Sequence, residues 1–230
     1  MAVSAYRHAV IISSYNRPQM VRTAIQSVLL SRASVQLIVA DDDSNEETML
    51  AISAEICGRK NAQSIRAKRP REGEFTNITR RATACINDAL KLVDAEFVHY
   101  LPDDDWFASG RFYAFERFFD ANPDADVAYG RMGIVRNGQL EPHASFLDCI
   151  TNDPVNHVDH GQFSHRSRVL DRVPKWPTTP HYAFDANFFL ALVAAGYWFY
   201  PVNAMVNYKA YHDRNLMTER DRACPPSDRE

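Results

Sequence analysis

Two runs of three aspartates, Asp41-Asp42-Asp43 and Asp103-Asp104-Asp105, constrain this chain more than any other feature. Each closes a short apolar run, residues 35–40 in the first case and 97–102 in the second. Apolar runs of that length, followed by turn or helix-start residues, read as buried strands. Adjacent carboxylates repel one another unless a cation or a hydrogen-bond donor compensates them. A fold that sets such clusters at two strand tips must therefore supply partners for them. In open α/β sheets, ligands bind just outside the carboxyl ends of the strands. The pattern points to an α/β sheet whose acidic edge binds hydroxyl groups and a metal ion.

The rest of the N-terminal half agrees. Residues 8–14 read as a first strand, broken by Tyr15-Asn16-Arg17-Pro18, with Pro18 placed for the first turn of a helix. Met20, Val21, Ala24, Ile25, Val28 and Leu29 recur at helical spacing. Ser44 or Asn45 caps a second helix with Glu46 and Glu47 at its positive end, and Gly58 stops it after Cys57. A short strand is expected around Ser64, followed by a basic loop from Arg66 to Arg71. Ala82, Cys85, Ile86, Ala89, Leu90 and Val93 mark a third helix, residues 96–101 a strand, and residues 111–119 an aromatic helix. Residues 126–135 and the segment after Asn137-Gly138 read as a hairpin. Strand alternating with helix through about residue 120 predicts a largely parallel sheet covered on both faces.

Bulk composition excludes several classes. Lys and Arg total 26 against 29 Asp and Glu, a net charge of −3, which gives no general drive toward DNA or an anionic membrane. The four cysteines are scattered without CxxC spacing, which argues against a zinc knuckle or a disulfide framework and fits a reducing compartment. No apolar run approaches the roughly 20 residues of a membrane helix. The expectation is a soluble, cytoplasmic protein.

Three stretches carry a resemblance. Residues 10–18 (VIISSYNRP), 41–48 (DDDSNEET) and 100–106 (YLPDDDW) resemble family 2 glycosyltransferases of the GT-A fold. Within that family they are similar to the small nucleotide-diphospho-sugar transferases of spore-coat polysaccharide synthesis. The likeness continues through residues 81–90, 158–166 and 184–189 in consistent order, over roughly residues 8–215. Three positions depart from the usual pattern: Asp43 replaces Gly or Asn, Pro102 heads the second acidic motif, and Phe184 replaces a Glu before Asp185. The resemblance implies an α/β GT-A, Rossmann-like fold with a mostly parallel central sheet flanked by helices. It implies one domain over residues 1–217, with a nucleotide-sugar half (about 1–106) and an acceptor half (about 107–217), and a flexible tail over 218–230.

The resemblance also implies an inverting, metal-dependent transfer from a UDP- or dTDP-sugar to an acceptor hydroxyl. Ser13, Tyr15, Asn16, Asp42, Arg81 and Asp103 are the expected donor-binding residues. Tyr15 stacks on the base or is a buried strand-end aromatic. Asp42 accepts from the N3–H of a uracil or thymine, and Asp103 faces the ribose. Asp41 is expected to be structural and Asp43 a turn residue. Asp104 is the expected ligand for Mn2+ or Mg2+. Asp105 binds the metal, directly or through water, or orients the loop. His212 completes the set, and Arg81, Arg80 and Arg214 are candidates for the phosphates. Asp185, at a helix start, is the expected catalytic base, and one base with direct displacement means inversion. On the acceptor side stand His160, His165, Trp176 and Tyr182, with His181 in the same loop; packing accounts equally well for the aromatic residues.

Three other readings use the same residues. A nucleotidyltransferase would carry a Gly-rich phosphate loop after the first strand, and residues 13–17 contain no glycine. A binding module would hold nucleotide or sugar without turnover. A DNA-modifying transferase would glycosylate a hydroxylated base, a nucleic-acid acceptor that the net charge disfavours.

Overall fold

A computed structural model of the chain describes residues 4–68, 77–141, 147–178 and 184–212. Its first half is built of β1 (Tyr6–Ser14), α1 (Pro18–Leu29), β2 (Val35–Asp41), α2 (Glu46–Ile56), β3 (Ala62–Arg66), α3 (Ile78–Leu90) and β4 (Ala95–Pro102). The four strands pair in parallel in the order β3-β2-β1-β4. Every residue of β2 is buried, as a strand covered on both faces requires.

Local chemistry sets the helix ends. Pro18 opens α1, where its missing N–H has no helical partner to lose, and Val21, Ala24, Ile25 and Val28 form the buried stripe. The Asn45 carboxamide caps α2 by accepting from the Thr48 N–H (3.0 Å), so Asn45 rather than Ser44 is the cap. Gly58, at φ +73°, takes the chain out of that helix. Asn77 caps α3 through the N–H groups of Thr79 and Arg80.

Strand alternation splits the core into two layers. Val10, Ile12, Leu37 and Val39 face α1 and α2. Ile11, Ile38 and Ala40 face the other way, against Cys85, Ile86 and Ala89 of α3 and Phe188, Phe189 and Leu192 of α5 (Phe184–Ala194).

The second half adds β5 (Trp106–Phe107), α4 (Arg111–Ala121), β6 (Val127–Arg136), β7 (Gln139–Glu141), β8 (Phe163–Arg166), a 3-10 turn (Ser167–Asp171), α5 and β9 (Phe199–Tyr211). The sheet continues β4-β8-β6-β9-β5, with β7 on β6. The hairpin expected at Asn137-Gly138 is the β6–β7 turn, with both residues at positive φ (52° and 75°).

The expected mostly parallel sheet is present: β3-β2-β1-β4 pair in parallel, and so do the long β6 and β9. The exceptions are short: β8 runs antiparallel to both β4 and β6, β5 antiparallel to β9 and β7 antiparallel to β6. Parallel neighbours need a crossover of a dozen or more residues, usually a helix. Among the described residues between β7 and β8 there is none. Of the residues 158–166 that carry part of the resemblance, only the last four form a strand. Residues 158–162 form turns closed by Val158 N–H to Pro154 O and Gln162 N–H to Asp159 O, and only Phe163–Arg166 pairs. Tyr182, His181, Arg214 and the 218–230 tail lie outside the described residues, as do residues 69–71 of the basic loop.

Register positions the site. Ser14 pairs with Asp41, Ser13 with Ala40, and Ser13 also with Pro102, so the carboxyl ends of β2, β1 and β4 finish side by side. The long β9 returns to the same edge, pairing with β6 through an irregular register at Gly130-Arg131-Met132. Gly130 is required there, because a Cβ would stand 2.4 Å from Val206 Cγ1 and 3.0 Å from the Ala204 carbonyl oxygen. We expect Gly130→Ala to destabilise the protein by about 1–3 kcal/mol through overpacking, read as a shift of the urea midpoint at unchanged m-value.

Candidate active site

The first triplet is resolved one carboxylate at a time. Asp41 is buried and its Oδ2 accepts from the Ser44 N–H (2.9 Å), which closes the turn after β2. Burial pushes its carboxyl above the ordinary range, partly offset by the Ser44 hydrogen bonds. Asp43 sits at φ +57°, the left-handed backbone that explains why Gly or Asn suits this position. Its carboxylate pairs with Arg66 at 2.8 Å. Asp42 is gripped by Arg81 of α3, Nε to Oδ2 and Nη2 to Oδ1, both 2.7 Å. Arg81 is 2% exposed. This corrects its placement as a phosphate-binding residue: its fork is aimed at Asp42, and it holds that carboxylate at the β2 tip.

The second triplet meets the β1 exit loop. Asp103 Oδ2 accepts from the Tyr15 N–H (2.9 Å) and Oδ1 from Arg17 Nη1 (2.9 Å). Burial pushes Asp103 up to about 6, against the pull of the Arg17 charge. The same Arg17 Nη1 reaches Asp104 Oδ2 at 2.9 Å, and that oxygen also faces His212 Nε2 at 3.2 Å. Burial alone would raise Asp104, but the His212 hydrogen bond and the Arg17 charge hold it below its ordinary value.

Of the two roles expected of Asp105, metal ligand or loop orientation, its contacts match the second. It is 2% exposed and accepts the Ala210 N–H of β9 through Oδ1 (3.1 Å), so its carboxyl is turned onto the fold. None of the three caps α4, whose N-cap Gly110 makes no side-chain bond. Arg17 joins this cluster although nothing in the sequence singles it out. It was legible only as part of the SYNRP run, because its partners lie 86 and 87 residues away.

Tyr15 is half-buried at the mouth of this edge. Asn16, at φ +51°, accepts the Asn45 N–H on its side chain (2.7 Å) and gives its own N–H to Ser44 Oγ (2.9 Å). Asn16 thereby ties the β1 exit to the start of α2. Ser13 is half-buried within β1.

On the other side, Asp185 lies in the first turn of α5, where its Oδ1 accepts the Ala186 N–H (2.9 Å). Burial, then the charge of Asp159, push it up to about 6, while Lys209 pulls it down. Lys209 of β9 forms an ion pair with Asp159. Burial would raise Asp159, but Lys209 holds it low, and Asp159 and Asp105 together drive the Lys209 ammonium far above its usual range despite its own burial.

Three acceptor-side expectations are overturned by burial. Trp176 is 0% exposed, stacked on Phe188 (4.6 Å, 9°) and edge-on to Tyr100 (4.8 Å), so it is core and not a cleft wall. His165 is equally buried, with Nδ1 2.8 Å from the Arg166 carbonyl and Nε2 2.8 Å from the Tyr100 hydroxyl. The carbonyl can only accept, so Nδ1 carries the proton and Nε2 accepts from Tyr100. His160 is 3% exposed and lies between Tyr100 (5.9 Å) and Trp176 (5.3 Å), with burial pulling it down to about 4.

An Asp carboxylate oxygen and an imidazole nitrogen, converging at 3.2 Å, are chemically suited to Mn2+ or Mg2+. Among the described residues no group of three or more His, Cys, Asp or Glu side chains is gathered as a metal cluster. A metal held here would have Asp104 and His212 as its side-chain ligands. Among the described residues no helix is long and apolar enough to cross a membrane.

Comparison with known proteins places this arrangement. Protein CgeD of Bacillus subtilis (strain 168) is 25% identical over 170 residues, which cover 72% of this chain and 39% of CgeD. The crystal structure of residues 1–349 of S. aureus TarS in complex with UDP superposes with a TM-score of 0.70 at 19% identity, over 90% of this chain and 61% of that one. The mannosyltransferase PcManGT from Pyrobaculum calidifontis, in complex with GDP-Man and Mn2+, gives 0.68 at 15% identity, over 97% and 63%. The chain thus spans about two fifths of the curated relative and about three fifths of these structures. The superpositions show the GT-A fold. The model of glycosyl transferase family 2 matches residues 9–189, well over half of the sequence, and the chain belongs to that family.

Proposed function

We propose that this protein transfers a sugar from a nucleoside diphosphate donor of the UDP or dTDP type to an acceptor hydroxyl, with inversion and with the help of a divalent cation. The observation that carries the reading is the convergence of three strand tips with two differently tuned acid sites. Asp42 and Arg81 stand at the β2 tip, Asp103 and Asp104 at the β4 tip with His212 from β9, and Asp185 at the start of α5. Likeness to structures holding UDP, or GDP-Man with Mn2+, supports a nucleotide-sugar ligand in this fold.

The roles follow from the chemistry of each group. Tyr15 offers an aromatic face to the base. Asp42, fixed by the Arg81 fork, presents an acceptor to a pyrimidine N–H. Asp103 anchors the β1 loop and faces the ribose. Asp104 and His212 would hold Mn2+ or Mg2+, which supplies charge neutralisation for the departing diphosphate. Asp185 takes the proton of the attacking hydroxyl. A base works best when its pKa lies near the operating pH, and a carboxyl raised to about 6 meets that condition better than an ordinary one.

The pH dependence has a definite sign. Asp185 acts only when ionised, so the rate falls about tenfold per unit as pH drops below about 6 and levels off above it. With a panel of UDP-, dTDP- and GDP-sugars, we expect Asp185→Asn to lower kcat by about 10²–10⁴-fold while leaving donor affinity within a factor of about three. A folded Asp185→Asn protein turning over at the wild-type rate would falsify the base assignment.

The Asp42–Arg81 pair makes a separate prediction. Lysine keeps the charge of Arg81 but cannot form the two-pronged contact. Arg81→Lys is expected to raise the donor KM with kcat little changed, and to cost about 1.5–3 kcal/mol of stability by thermal denaturation. A lowered kcat at unchanged KM would count against the base-reading role of Asp42.

A further inference from the structure

We propose that Arg17 is a cation built into the chain that competes with the divalent metal for the Asp104 carboxylate and couples metal binding to the arrival of the donor diphosphate. The inference rests on the reading of Asp104 as a metal ligand.

A single nitrogen, Arg17 Nη1, lies 2.9 Å from Asp103 Oδ1 and 2.9 Å from Asp104 Oδ2. Asp104 Oδ2 is also the oxygen that faces His212. The guanidinium therefore lies against the atom a metal would use, and two cations drawn to one oxygen repel each other. The side chains of Arg17, Asp103 and Asp104 are 17%, 5% and 10% exposed, so water screens that repulsion only weakly.

Arg17 also has somewhere to go. It is the N-cap residue of α1, its backbone held by Pro18 at the next position, so only the side chain needs to move. Beside it opens a cavity of about 310 Å3 lined by Asn16, Arg17, Pro18, Gln19, Met20 and Asn45, with Glu47. A guanidinium matches phosphate oxygens at least as well as carboxylates. A diphosphate arriving at this edge offers Arg17 a replacement partner. Asp104 then becomes available to the metal at the moment the phosphates need neutralising. Without nucleotide, Arg17 keeps the pair compensated and metal affinity low.

The test is Mn2+ titration of the nucleotide-free, full-length protein, read by the loss of the free-ion EPR signal. Arg17→Gln is expected to bind Mn2+ at least tenfold more tightly than wild type. Arg17→Lys keeps the positive charge and is expected to stay within about threefold of wild type, which separates loss of charge from loss of shape. Adding UDP should tighten Mn2+ binding to the wild type by more than tenfold and to Arg17→Gln by less than threefold. Equal or weaker Mn2+ binding by Arg17→Gln, at unchanged circular dichroism, overturns the proposal. Asp104→Asn keeps the two possible failures apart. If it abolishes Mn2+ binding while Arg17→Gln does not tighten it, only the competition is wrong. If it leaves Mn2+ binding intact, the metal assignment itself is wrong and the inference falls with it.

Discussion

The parallel register of β2, β1 and β4 is the constraint on which the rest depends. It sets Asp41 beside Ser14 and Pro102 beside Ser13, and so brings six carboxylates to one edge of the sheet. Such a concentration of like charge is tolerable only because every carboxylate meets a donor. Asp41 takes a backbone N–H, Asp42 a buried guanidinium and Asp43 a surface arginine. Asp103 and Asp104 share Arg17, and Asp105 takes a backbone N–H of β9. The donors come from the β2 turn, α3, β3, the β1 exit and β9, so satisfying the acids also ties the two halves together. Site and scaffold are here one set of hydrogen bonds.

The histidines and aromatics show where reading from sequence stops. Helix stripes, the α2 cap, the Asn137-Gly138 turn and the first four strands depend on residues near in sequence and are legible there. Whether a histidine lies in a cleft or in the core depends on partners far along the chain. Trp176, His160 and His165 look like an acceptor wall because sugar-binding loops and aromatic cores draw on the same residue types. What decides is Tyr100, which touches all three from β4. The 13-residue β9 was equally hidden, since its strand partner β6 lies some 70 residues earlier and its register breaks at Gly130.

Arg111 shows the same limit in its strongest form. It opens the aromatic helix α4 and would ordinarily be assigned to solvent, yet it is fully buried. Its guanidinium lies over the Phe107 ring at 3.8 Å and donates to the carbonyl oxygens of Gly161, Phe163 and Val206. Its Nε donates to His99 Nδ1 (3.3 Å), so the His99 proton must sit on Nε2, which in turn donates to His8 Nδ1 (2.9 Å). The remaining His8 Nε2–H faces Glu116 at 3.3 Å. Burial first, aided by the Arg111 charge, holds both histidines neutral. One buried arginine thereby sets two tautomers and joins β4, α4, the turn before β8 and β9, the elements that carry Asp103, Asp104 and Lys209.

The carboxylates around Lys209 are balanced differently from those around Arg17. Around Lys209 lie three carboxylates, Asp105, Asp159 and Asp185, and one ammonium cannot balance them all. Lys209 is committed by its ion pair to Asp159. Asp105 responds by rising well above the ordinary carboxylate range, driven first by burial and then by its acidic neighbours. Asp185 is left with Asp159 as its principal charged neighbour and with too little of Lys209 to offset it. Beside Arg17 and His212, Asp104 is held below its ordinary value, while burial leaves Asp103 raised to about 6. Beside Lys209, Asp159 is held low, while Asp105 and Asp185 both stay raised. A single lysine placed among three aspartates thus leaves Asp185 with the raised proton affinity that its proposed role as a base requires.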